Sequence, residues 1–106
     1  MPSTGWVVQI LLPLYDNEGA RFGEDVYART RTELLDAFGG LTAYQRSPAR
    51  GLWKSDDGEV ARDDVVIFEV MTPDLDRSWW HRYRIELEHR FKQETILTRA
   101  LQHELL

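Results

Sequence analysis

Two short stretches constrain this chain more than anything else in it. Trp6–Leu12 and Val65–Met71 are apolar at every position but one, Gln9 in the first and Glu69 in the second. Both are too short for a membrane span, which needs about 20 apolar residues. Both are rich in β-branched and aromatic residues and bounded by breakers, Pro13 after one and Pro73 after the other. They read as strands buried on two sides.

Side chains alternate along a strand. Trp6, Val8, Ile10 and Leu12 therefore share a side, as do Val66, Phe68 and Val70. The opposite sets, Val7, Gln9 and Leu11 with Val65, Ile67, Glu69 and Met71, are also mostly apolar. A sheet side left in water normally alternates to polar residues.

Between these strands the period changes. From Glu24 to Phe38, Tyr27, Leu34 and Phe38 fall on one side of a helix, with Thr30 and Ala37 beside them. Glu24 and Asp25 occupy its first turn, where the helix dipole favours anions. Asp16-Asn17-Glu18-Gly19 is turn chemistry, and Gly39-Gly40 stops the helix.

Leu41–Arg46 reads as a strand, interrupted by Ser47–Gly51 and resumed at Leu52-Trp53. Pro48 and Gly51 place it at a sheet edge. Asp56-Asp57-Gly58 signals a hairpin turn leading into Asp64–Met71. Thr72-Pro73-Asp74 opens a second helix, with Thr72 at the N-cap and Pro73 at the first helical position. Trp80, Tyr83, Leu87 and Phe91 form its apolar stripe. The four-apart pairs Arg82–Glu86, Arg84–Glu88, Glu86–Arg90 and Glu88–Lys92 mark a solvated side. The tail Glu94–Leu106 fits a strand or a helix over Thr95–Leu101. A strand completes the order β-α-β-β-α-β.

That order is the ferredoxin-like, split βαβ plait: an α+β fold with a four-stranded antiparallel sheet ordered 4-1-3-2 and two helices on one face. The two most apolar strands then lie in the centre. The 106 residues suit a single domain spanning 1–106. With both helices on one face, the apolar side they leave open calls for a cover, and a second copy of the chain in a face-to-face homodimer is expected. The bland alternative is a wet sheet side with scattered apolar residues.

Gln9 and Glu69 then lie on neighbouring strands and the same side. A carboxylate in a covered apolar site must be paired or hold its proton. Glu69 is a candidate acid, base or hydrogen-bond anchor of a small pocket with Gln9. Its structural alternative is an ion pair with Arg99 or Arg46, or plain exposure. Arg46, Arg50 and Lys54, flanked by Tyr44 and Trp53, form a candidate seat for a small organic or anionic ligand, or a solvated cluster neutralised by Asp56 and Asp57. Trp79 packs at an interface or lines a pocket, and His81 is a second catalytic candidate.

Much is excluded. The chain has no cysteine, hence no disulfide or thiolate chemistry. His81 and His89 are eight apart, which is not a ligand spacing on a helix. Metals and cofactors are therefore not expected. No serine sits in a nucleophile elbow, and Gly39-Gly40 is no phosphate loop. With 13 Lys+Arg against 18 Asp+Glu the net charge is −5, so nucleic acid is not an expected partner. The N-terminal residues carry no export signal, so a cytoplasmic location is expected and no membrane partner.

Phe38-Gly39-Gly40-Leu41-Thr42-Ala43-Tyr44, with Arg46 and Gly51-Leu52-Trp53, resembles a phrase in small bacterial proteins of ferredoxin-like type. In these a helix ends in Phe-Gly-Gly-Leu-Thr and an edge strand ends at a Trp. The resemblance supports the fold and carries no assigned reaction. More loosely, the architecture is similar to the dimeric α+β barrel superfamily, in which two plaits pack sheet to sheet. Some of its members are cofactor-independent monooxygenases, others haem-degrading enzymes or isomerases. Gln9 on the first strand with Trp79 and His81 on the second helix is similar to the polar-strand and helix-Trp/His arrangement of some monooxygenases. The expected function is a small-ligand binding or interaction module using the open sheet face. A small cofactor-independent enzyme with Glu69 as acid or base is the alternative.

Overall fold

A computed structural model describes residues 3–46 and 64–106, the side chain of Arg46 excepted. The order is β1 (Ser3–Pro13), α1 (Glu24–Phe38), β2 (Thr42–Arg46), β3 (Val65–Thr72), α2 (Arg77–Arg90) and β4 (Thr98–Leu105). The strands form one antiparallel sheet ordered β2-β3-β1-β4, the 4-1-3-2 plait. β2 lies at an edge, where the sequence placed it.

The register converts alternation into two faces. Val8 pairs with Val70 and Ala100, and Ile10 with Phe68 and Thr98. Val8, Ile10, Phe68 and Val70, with Ala100 packed against them, meet Tyr27 and Leu34 of α1 and Trp80, Tyr83 and Leu87 of α2 in one buried cluster, so both helices cover the same sheet face. Each large side chain buried there contributes roughly 1.5–3 kcal/mol relative to exposure.

Local chemistry fixes the joints. Asp16 Oδ1 accepts from the backbone N–H groups of Glu18 and Ala20, both at 2.9 Å, which closes the turn after β1. Gly39 ends α1 at φ 78°, in the left-handed region that a side chain disfavours.

Two boundaries differ from the sequence expectation. Thr72 is the last residue of β3, paired with Trp6, and α2 starts only at Arg77. The cap is Asp76, whose Oδ1 accepts from Trp79 N at 3.1 Å. Continued ladder pairing holds Thr72 extended, so its hydroxyl reaches the carbonyl of Asp74 instead. The final strand begins at Thr98 rather than Thr95, because Ile96 is drawn into the core and its N–H donates to Glu88 at 3.1 Å.

The helices are joined by a polar bridge that the pattern of four-apart pairs did not reveal. Arg90, whose side chain is only 6% exposed, donates to both Glu33 oxygens at 2.7 and 3.0 Å and to Thr30 Oγ1 at 2.9 Å. Tyr83 Oη donates to Glu33 at 2.9 Å. Burial pushes the Glu33 carboxyl up. Hydrogen bonds from Arg90 and Tyr83, with the charges of Arg90 and Arg29, outweigh it and hold the group below the usual carboxylate range. Burial, and then the neighbouring Glu33 carboxylate, push the Tyr83 phenol up.

Candidate functional site

The open face of the sheet carries a polar rung at its middle, between apolar rows, with His103 further along β4. Gln9 lies between Glu69 on β3 and Arg99 on β4 in direct register. Arg99 Nε donates to Gln9 Oε1 at 2.7 Å, and Gln9 Nε2 donates to Glu69 Oε1 at 2.7 Å. The amide presents its oxygen to the cation and its NH₂ to the anion, so Gln9 bridges an ion pair too widely separated to touch. Neighbouring strands lie about 4.8 Å apart, which puts the outer two residues on the order of 10 Å apart at the backbone.

Thr42 completes the rung on β2. The adjacent row holds Leu11, Ile67 and Tyr44 on one side of it, and Leu101, Val7 and Met71 on the other. Ile67 is 1% exposed within a single chain. Its burial in a single chain therefore needs no second copy. Met71 is 57% exposed, and Tyr44, Leu97, Leu101 and Leu105 are also large exposed apolar side chains. The strand parity turns all five toward the open side.

A cleft of about 460 Å³ abuts this rung, with Val7, Glu69 and Met71 on one wall and the α1–β2 joint, Phe38–Thr42, on the other. Glu69 thus borders space bounded by apolar side chains and by the backbone of two glycines. Trp79 backs this joint from the helix layer. Its ring lies 5.2 Å from Phe38 and stacks on Tyr83 at 4.9 Å.

Glu69, Gln9 and Tyr44 are therefore brought onto one face. His81 is not among them. It borders a separate cleft with Val8 and Ala100, which belong to the helix-facing side of the sheet. The sheet stands between His81 and Glu69, so the two do not form one acid–base pair. Arg50, Trp53 and Lys54, the side chain of Arg46 and the Asp56-Asp57-Gly58 turn lie outside the described residues.

Arg99 was foreseeable as a partner of Glu69, but its bond through Gln9 needed the register. The concentration of Arg77, His81 and Arg84 beside one cleft was missed. Its signal is their spacing of four and three along α2, which puts them on one side of a helix. Among the described residues, no group of three or more His, Asp or Glu is placed to hold a metal ion, and no helix is long and apolar enough to cross a membrane. No protein-family profile matches the chain, and no curated protein matches it.

Proposed function

We propose that the chain is a homodimeric module that packs its open sheet face against a second copy of itself and binds a small organic ligand beside Glu69. The observation that carries this reading is the ring of exposed Tyr44, Met71, Leu97, Leu101 and Leu105 around one charged rung. Charge complementarity selects a second copy as the cover. Arg99 and Glu69 flank β1 on opposite sides. A two-fold axis lying between the sheets and parallel to β1 exchanges those flanks. Each copy's Arg99 then faces the other's Glu69 across the roughly 10 Å that separates packed sheets. An axis along the rung would instead set Arg99 on Arg99, which is repulsive. In the first arrangement the partner also covers Met71, and the Glu69 cleft becomes an enclosed seat for a ligand.

Sedimentation equilibrium tests the pairing and its geometry. The wild type is expected to be dimeric at about 100 μM, Arg99→Glu to weaken association at least about tenfold, and Glu69→Arg with Arg99→Glu to restore most of it. A wild-type monomer at that concentration refutes the proposal. Failure of the double exchange to recover refutes the orientation.

One observation favours a second reading. The Glu69 carboxylate borders a cleft with a mixed wall of apolar side chains, Thr42 and glycine backbone, where such a group can serve as acid or base. That reading makes the chain a small cofactor-independent enzyme of the dimeric α+β barrel type, with a monooxygenase- or isomerase-like reaction.

A further inference from the structure

The helix side of the sheet holds a different cleft, of about 190 Å³, between α2 and β4. We propose that it binds a small monocarboxylate carrying a ring-sized apolar body. The floor is Val8, Trp80 and Ala100, and the rim is Arg77, His81 and Arg84. The size is informative, since a cavity of about 150 Å³ accommodates benzene.

The charge is informative too. The whole chain carries −5, yet among the described residues lining this cleft none is acidic. Arg84 Nη1 is held by Glu88 at 2.8 Å, which cancels one positive charge. Its Nη2 lies 3.2 Å from His81 Nδ1. A guanidinium can only donate, so His81 Nδ1 is the acceptor in this contact. Arg99 contributes to the wall, but its Nε is committed to Gln9 on the opposite face. Arg77 rests over Trp6, 5.7 Å from the ring centre, and among the described residues no carboxylate pairs with it. Of the two rim guanidiniums, Arg77 is the one left without a counter-charge among the described residues, and beside an apolar floor it matches a monoanion. Arg is also the side chain whose planar fork suits a carboxylate.

The test is titration of the chain with sodium benzoate, followed by two-dimensional amide NMR at the Trp80 indole N–H and the Ala100 amide. Neutral benzamide serves as the isosteric control. Saturable shifts at both reporters with benzoate, and binding at least about tenfold weaker with benzamide, are expected. Arg77→Met removes the exposed rim cation and should weaken benzoate about tenfold or more while the spectrum stays folded. Ala100→Val narrows the floor and should weaken both ligands. Leu101→Asp, on the open face, should leave benzoate binding unchanged, which separates this site from the proposed dimer face. Equal binding of benzoate and benzamide, silent reporters, or an unaffected Arg77→Met variant overturns the assignment.

Discussion

Glu33→Gln is the sharpest probe of how the two helices are held over the sheet. The substitution keeps size and shape but removes the charge facing Arg90, whose side chain is 6% exposed. The glutamine amide keeps one acceptor oxygen but turns the other into an NH₂ donor facing Arg90, so one of the two Arg90 bonds, at 2.7 and 3.0 Å, is lost and the rest, with that from Tyr83, go to a neutral acceptor. Breaking a buried ion pair from one side costs about 3–5 kcal/mol. Here the cost is smaller, for two reasons. Glu33 is 32% exposed, so solvent screens it. Arg90 also keeps Thr30 Oγ1 at 2.9 Å and Glu86 at 3.2 Å. About 2 kcal/mol is expected, or a fall in Tm of about 10 °C for a domain this size.

The pH dependence has a definite sign. The Glu33 carboxyl is held below its unfolded value. Its contribution is fully present above the unfolded glutamate pKa, about 4.3, and is lost as pH falls through the folded value. The difference between wild type and variant should therefore shrink as thermal denaturation is followed from about pH 7 to about pH 3.5. A loss under about 0.5 kcal/mol at neutral pH, or an equal loss at both ends of that range, would refute the bridge as described.

Two further outcomes are expected. Gly5→Ala should cost about 1–3 kcal/mol in urea denaturation, because an added Cβ would lie 2.8 Å from the Thr72 carbonyl oxygen, a main-chain atom with little room to retreat. Glu69→Gln tests the pocket and separates module from enzyme: the variant should weaken binding of a ligand found by thermal-shift screening, unchanged binding and stability refute the pocket, and wild-type conversion of that ligand that disappears in the variant is the mark of the enzyme.

Much of the fold was legible because period-2 alternation is a local property. Val8, Ile10 and Leu12 declare a shared face without any knowledge of what covers it, and Gln9 and Glu69 declare themselves neighbours once the element order is known. In the sequence, Pro48 argued for an edge position of the strand before it, because a residue without an N–H cannot serve a central ladder. The tail was less clear, since Thr95–Leu101 suits helix or strand equally. The free edge of β1 settles it by pairing with Thr98–Leu105.

The rest depended on distances between segments far apart in the chain. Glu33 and Arg90 look like solvated helix charges until the helices pack and bury the guanidinium. His81 and Glu69 look like possible partners until the sheet is placed between them. Sequence alone determined which side chains share a face, because covalent geometry dictates that alternation. Tertiary packing decided which faces meet, which charges lose their water and which clefts remain open, because those follow from contacts among residues up to 90 positions apart.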